Sequence, residues 1–598
     1  MITNENIRNI SIIAHVDHGK STLADRFLEL AGLVKPGEHE SQILDSMDLE
    51  RERGITIKSQ PVSLEYQHEG SKYRVNIIDT PGHVDFSYEV SRALTACEGA
   101  ILLVDGTQGV QAQTLAHSDE AIDLGLHIIP VINKIDSVNV DIDSVSEQIF
   151  DLIGSKKEEI SLISAKTGNG VEELFKRVIN EISPNPSVGK DLKALIFDSY
   201  FDSYKGVIAS VRIFSGSIEA NKEYILGNNK NSIYPTEVGI FDLGMKPISA
   251  LGPGEVGYIV TGSKDLKEFN VGETIVDKSA KDGSIIEGFK SINPNVYSSI
   301  FPSDADEYIK LRDALDKYSL NDSSFFFEPE SSSAFGFGFR CGFLGLLHME
   351  IVVERLEREY DLSLIVTPPT VEVLLIRNNG EEILIKNPSK MSEYTDIDEI
   401  NERIAEVVVI SPKKYLGNIL KLLTESRGEQ KNLSFLSSER VKIVYSVPLL
   451  ELVSGFYDTL KSISQGFATF DYKIVSFKKA DLVRVDLLVN GQEVDSFSSI
   501  VAKENSESFG KSRVEKLSKL IPRQQFDIPI QAAIGSRIIA RQTVKALRKD
   551  VTAKLYGGDV SRKKKLLESQ KKGKKKMKKI GNVNIPKEVF KNFLKQDL

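Results

Sequence analysis

Apolar runs recur along the first third of the chain at the spacing of alternating strands and helices. Residues 10–14, 75–79, 100–105, 128–133 and 160–164 each read as a short buried strand, and an amphipathic helix is predicted over 19–30, directly after the first. Helical stretches precede the later strands, which is the βαβ pattern of a mainly parallel sheet. Ser183-Pro184-Asn185-Pro186 breaks this regime and predicts a linker. From about 192 to 278, short β-branched strands alternate with turns such as Gly227-Asn228-Asn229 and Gly252-Pro253-Gly254, the pattern of a small β-barrel. The expected fold is multidomain α/β. Its N-terminal domain spans 1–183, the barrel 187–282, two α+β units 285–370 and 400–482, and a C-terminal domain 483–598. Within the third unit, residues 323–340 are rich in Ser, Phe and Gly. They read either as a turn-rich connection whose phenylalanines pack into the core or as aromatics that stack on RNA bases.

A length of 598 residues fits several such domains, and 41% hydrophobic with 27% charged residues is a globular composition. Two cysteines, Cys97 and Cys341, exclude a disulfide framework and predict a reducing, cytoplasmic setting. No signal-peptide core precedes His15, and no apolar run reaches the roughly 18 residues of a spanning helix. Charge changes the picture more. The net charge is −9, yet residues 537–598 carry 20 Lys and Arg against 5 Asp and Glu, so an acidic body at −24 ends in a tail at +15. Such a tail is expected to contact phosphates.

Ala14-His15-Val16-Asp17-His18-Gly19-Lys20-Ser21 follows an apolar strand and opens a helix, the context that a phosphate-binding loop requires. Ala14 stands where the first glycine is usual. In such a loop the backbone N–H groups from Asp17, His18 and Gly19 to Thr22 wrap phosphates, Lys20 reaches the β and γ oxygens, and the Ser21 hydroxyl ligates Mg²⁺. Asp79-Thr80-Pro81-Gly82 ends a strand, which suits Asp79 to hold the ion through water and the Gly82 N–H to sense a γ-phosphate. Asn133-Lys134-Ile135-Asp136 ends another. A carboxylate there accepts from both N1–H and the 2-amino group of guanine; adenine offers no such donor pair, and a buried carboxylate left unpaired is costly. Ser164-Ala165-Lys166 is placed to support the base. Each tetrapeptide alone is an ordinary turn. The elements in this order predict a GTPase that takes GTP and GDP with Mg²⁺, and neither an HExxH nor a CxxC pair supports zinc.

Arg53-Gly54-Ile55-Thr56-Ile57 resembles the first switch of translational GTPases. That resemblance implies that Thr56 is a second protein ligand to Mg²⁺, that His83 orients the attacking water, and that Val16 and Ile55 gate its approach. A lone His on a turn is otherwise a surface residue. Gly342-Phe343-Leu344-Gly345-Leu346-Leu347-His348-Met349-Glu350 resembles the third domain of translocase-type elongation factors. Lys414-Tyr415-Leu416-Gly417-Asn418 with Arg427-Gly428 resembles their fifth, and the finger-like fourth domain has no room between them. The run from Thr543 to Asp559, with Gly573 to Lys579 and Ile580-Gly581-Asn582-Val583, is similar to the LepA (elongation factor four) family, so the resemblance covers nearly the whole chain.

That family implies a ribosome-dependent GTPase, acting as a monomer on the ribosome and tRNA, with a proposed one-codon backward movement of tRNAs under stress. Roles in initiation or ribosome assembly are the alternative. No stable DNA binding is expected. In the tail, Val544, Leu547, Val551 and Leu555 recur at helical spacing, Gly557-Gly558 supplies a turn and Tyr556 is placed to stack, which predicts partial order on RNA. Peripheral contact with anionic lipid at the cell membrane is the second-choice role for its lysines.

Overall fold

The computed structural model describes residues 3–35, 42–45, 47–184, 189–228, 230–263, 266–278, 285–286, 293–394, 396–547, 560–580, 589 and 592–593, with backbone alone at 267 and 572–580. The N-terminal sheet is built from β1 (Ile7–Ala14), α1 (Lys20–Leu30), α2 (Asp48–Arg53), β2 (Gln60–His68), β3 (Ser71–Asp79), α3 (Ser87–Thr95) and β4 (Gly99–Asp105). It is completed by α4 (Ala112–Asp123), β5 (His127–Asn133), α5 (Ile142–Ile153), β6 (Ser161–Leu162) and α6 (Val171–Glu181). Strand order is β2-β3-β1-β4-β5-β6. β1 is buried at every position, the polar Arg8, Asn9 and Ser11 included, and pairs in parallel with β3 and β4, as a strand covered on both faces does. Ile12 opposite Asp79 and Ala14 opposite Leu103 bring the carboxyl ends of the strands to one edge, where ligands bind in such sheets.

β2 is the exception to the parallel pattern. It runs antiparallel to β3 through a two-residue turn at Glu69-Gly70, both with positive φ (49° and 78°). That geometry splices a hairpin onto the edge of the sheet.

Next, an eight-stranded antiparallel sheet and a two-stranded pair, from Lys193–Asp202 to Thr274–Asp277, enclose one core that includes Ile196, Ala209, Tyr224, Leu251 and Ile259. A four-stranded sheet follows, with helices Tyr308–Ser319 and Leu346–Glu359 packed on it. Residues 323–340 are not a turn-rich connection. They belong largely to a hairpin, Phe326–Ser332 with Gly336–Phe343, in full register from Phe326–Gly342 to Ser332–Gly336. Phe325, Phe335 and Phe339 are buried and Phe327 packs half-buried on the core, so most of the aromatic content is core, whereas Phe326 and Phe337 are exposed.

The 16-residue strand Ile397–Pro412 centres the next sheet and recruits the hairpin Val373–Arg377 with Glu382–Ile385 from the stretch before it. In the C-terminal sheet, helix Ser506–Leu520 covers strands Ile528–Ile534 and Arg537–Val544. The basic tail therefore begins inside a folded sheet. Val544 ends a strand opposite Ile528 and Leu547 is exposed, so the helical spacing read from these two does not hold: strand pairing took Val544. Val551, Leu555, Tyr556 and Gly557-Gly558 lie outside the described residues, as do Asn185-Pro186 and Asn229. Beyond them, Val560–Ile580 is a 21-residue helix, and Val589 and Phe593 are buried in the C-terminal core. No helix among the described residues is long and apolar enough to cross a membrane.

Candidate active site

The loop between β1 and α1 turns through Asp17 and Gly19, at φ 64° and 96°. Gly19 has no alternative: a Cβ there would lie 2.4 Å from the Asn133 Nδ2. That amide ties the strand ends together. Asn133 Nδ2 donates to the His18 carbonyl (2.9 Å), and its Oδ1 accepts from the Ala165 N–H (2.9 Å). Lys134, also at positive φ (62°), sends its ammonium to the Asp17 carbonyl and the Asp105 carboxylate, both at 2.7 Å. The Ile135 N–H donates to the Ile163 carbonyl (3.2 Å), and Ser164 Oγ donates to Asp136 Oδ1 (2.7 Å). Asp136 itself is exposed, not the buried carboxylate expected from the sequence, because it sits past the strand end; Ser164 aims its carboxylate, which remains open on one side. Arg26 of α1 clasps the carbonyls of Ala165 and Lys166, both at 2.9 Å. Ser21 and Thr22 occupy the first turn of α1, half-buried and exposed respectively.

Lys20, Thr56 and Asp79 converge beneath this loop. The Lys20 ammonium donates to both Asp79 oxygens and to Thr56 Oγ1, each at 2.7 Å. Thr56 Oγ1 in turn donates to Asp45 Oδ1 (2.9 Å). Burial pushes the Asp79 carboxyl up while the Lys20 ammonium opposes that shift. Asp45 is 1% exposed, and its second oxygen has no hydrogen-bond partner among the described residues. Nothing in its local sequence singled Asp45 out. Gly82 packs against the loop, where a Cβ would lie 3.2 Å from the Ala14 carbonyl.

His83 caps the short turn Val84–Phe86, its Nδ1 accepting from the Asp85 N–H (3.2 Å). That bond assigns the ring proton to Nε2. Burial pulls the His83 pKa down, the Asp85 carboxylate opposes this, and Lys461 adds to it, so the ring is neutral near pH 7. Its side chain lines a cavity of about 1460 Å³ together with His15, Val16, Asp17 and Ile55. Three further histidines lie in the loop (His15, His18) or on α4 (His117). Burial lowers His15 and His117 to about 4 and His18 to about 3; His15 is held by Gln113, and His18 Nδ1 accepts from the Asp105 N–H (3.2 Å). They pack as neutral rings.

Comparison with known proteins agrees with this geometry. Residues 5–184 match the family described as Elongation factor Tu GTP binding domain, residues 399–488 the Elongation factor G C-terminus, and residues 489–595 the GTP-binding protein LepA C-terminus. A solved structure from Thermus thermophilus has the same general fold, at 16% identity and a TM-score of 0.57, covering 80% of this chain and 97% of that one. The chain is 49% identical over 593 residues to the protein named Elongation factor 4 from Alkaliphilus oremlandii (strain OhILAs), covering 99% of this chain and 98% of that protein. A GTP-hydrolysing domain of the elongation-factor type joined to a LepA C-terminus, over almost the full length of such a relative, places the chain in the elongation factor 4 (LepA) family of translational GTPases.

Proposed function

We propose that the chain hydrolyses GTP on the ribosome and couples hydrolysis to a one-codon backward movement of tRNA. The observation that supports the catalytic half is the convergence of Lys20, Thr56 and Asp79 at the strand ends, with His83 facing a cavity beside them. Backbone N–H groups from Asp17 to Thr22 hold the phosphates, with Lys20 on the β and γ oxygens and the Gly82 N–H on the γ-phosphate. Asn133 and Lys134 shape the base pocket, Asp136 reads guanine with its carboxylate braced by Ser164, and Ser164, Ala165 and Lys166 support the base from the neighbouring strand end.

Hydroxyl and carboxylate oxygens are the donor set of a hard cation, and the unpartnered buried oxygen of Asp45 beside Thr56 and Asp79 fits one. Ser21 and Thr56 would hold Mg²⁺ directly, and Asp79 through water. When bound, the ion neutralises charge on the β- and γ-phosphates. His83, neutral and with its proton on Nε2, positions water, while Val16 and Ile55 flank the approach.

Asp136→Asn should lower GTP affinity at least about a hundredfold, because an amide cannot accept from both guanine donors, and should raise affinity for xanthine nucleotide. Isothermal titration with both nucleotides checks this; unaltered GTP binding would remove Asp136 from the base pocket. The tRNA movement is tested by toeprinting a post-translocation ribosome with the protein and GTP. A one-codon backward shift is expected. Its absence, with immature subunits accumulating in a deletion strain, would favour the assembly role instead.

A further inference from the structure

We infer that Asp85 is a positioning residue through which helix Leu346–Glu359 of the third domain sets the place of His83. The inference rests on the reading of His83 given above. Asp85 acts at both of its ends. Its backbone N–H holds the His83 ring, and its carboxylate crosses to the other domain, accepting from the N–H groups of Leu347 (2.7 Å) and His348 (3.3 Å). These are unpaired donors in the first turn of a 14-residue helix, and the carboxylate also meets the positive end of the helix dipole.

The helix is built to receive this carboxylate. Gly345, its N-cap, has φ −164°, extended backbone that any residue adopts, so conformation does not demand glycine there. Space does: a Cβ on Gly345 would lie 2.1 Å from Asp85 Oδ1 and 2.2 Å from Asp85 Cγ. The first turn is held from within as well, since His348 Nδ1 accepts from the Leu344 N–H (3.0 Å) and its Nε2 meets Asp322 (2.8 Å). Burial disfavours ionised Asp322, yet the His348 ring beside it holds that carboxyl well below the usual carboxylate range.

The same helix also grips the segment that carries Thr56. Arg53 pairs with Glu350 (3.0 Å) and Glu354 (2.6 Å), and Glu52 pairs with Arg358 (2.9 Å). Between these contacts, Leu49, Ile57, Phe86 and Ile351 form one buried apolar cluster. A shift of the third domain against the first therefore moves both segments. The direct rigid link to His83 is Asp85, whose main chain and side chain engage the two sides at once.

The test compares Asp85→Ala, Asp85→Asn, Gly345→Ala, the double variant Asp85→Ala/Gly345→Ala and His83→Ala in full-length protein. It reads GTP affinity, ribosome-stimulated hydrolysis and amide exchange over residues 83–86. Asp85→Ala should lower kcat by about ten- to a hundredfold, the range set by loss of positioning, and leave the half-saturating ribosome concentration and GTP affinity unchanged. Gly345→Ala should do the same by displacing the carboxylate, and the double variant should be no worse than either. Exchange over 83–86 should rise in all three, and Asp85→Asn, whose carbonyl still accepts, should recover most of the rate. Wild-type turnover in Asp85→Ala, unaltered exchange in Gly345→Ala, or additive losses in the double variant would overturn the inference. His83→Ala separates the two readings: loss of activity there with none in the Asp85 and Gly345 variants rejects only this inference, whereas full activity in His83→Ala rejects both. Should Asp85→Ala fail to fold, Gly345→Ala and Asp85→Asn decide.

Discussion

Replacing His83 with Ala should lower ribosome-stimulated GTP hydrolysis by a factor on the order of 10² to 10⁴, the span typical of a group that assists proton transfer or positions a nucleophile, and leave GTP affinity within about twofold. The separation follows from where His83 bonds. Its hydrogen bond is to the Asp85 N–H, and the ring contacts Phe86; among the described residues it makes no hydrogen bond to Lys20, Thr56 or Asp79, whose mutual bonds fix the phosphate side. With Nδ1 occupied, only Nε2–H is free to meet the cavity. A neutral ring of lowered pKa is a weak general base, so its contribution lies in orientation and polarity, which suits phosphoryl transfer. Unstimulated hydrolysis should be slow in wild type and variant alike, because among the described residues no arginine joins the group formed by Lys20, Thr56 and Asp79. Single-turnover hydrolysis with and without ribosomes, beside equilibrium nucleotide binding, measures both halves. An equal loss of binding and hydrolysis would instead make His83 a structural support of the phosphate loop.

The parts of this site that are contiguous in the chain were legible in the sequence. A P-loop is recognisable because strand, loop and helix are neighbours, and β1, β4 and β5 announce themselves as continuous apolar runs because both of their faces are buried. What the sequence hid is what acts through distant partners. Asp45, Arg26 and Asp85 sit in no motif, and Asp85 finds its acceptor role 262 residues away at Leu347. Helix Leu346–Glu359 shows why such links stay silent: Gly345 is required by the volume of another domain's side chain, not by its own φ. β2 was missed for a milder reason. Its half-buried polar positions Gln60, Glu65 and His68 and the exposed Gln67 belong to an edge strand, and the Glu69-Gly70 turn that would have announced the hairpin is a weak two-residue signal. The tail failed differently, since Val544 and Leu547 fit a helical period as well as the end of a strand, and pairing with Ile528 decided between them.

That strand changes how the basic tail must be tested. Deleting residues 537–598 would strip Arg537–Val544 from its sheet and remove Phe593, whose ring lies 4.8 Å from Phe497 in the C-terminal core, so lost activity would report unfolding as readily as lost charge. Neutralisation avoids this. Helix Val560–Ile580 carries eleven basic residues and a single acidic one, Glu568, and the described side chains at its start are almost all exposed. Changing Lys563, Lys564, Lys565, Lys574, Lys575 and Lys576 together to Gln keeps helix propensity and removes six positive charges. If each neutralises one phosphate, the log–log slope of ribosome affinity against salt should become shallower by about five units, and affinity at low salt should fall by roughly a thousandfold. Intrinsic GTP binding should be untouched, because residues of the nucleotide site and this helix share none of the contacts that bring Lys20, Asn133 and Asp136 together. Ribosome binding measured from about 50 to 200 mM salt for both proteins decides the matter: an unchanged slope would make the lysines a solvated face that leaves RNA phosphate alone.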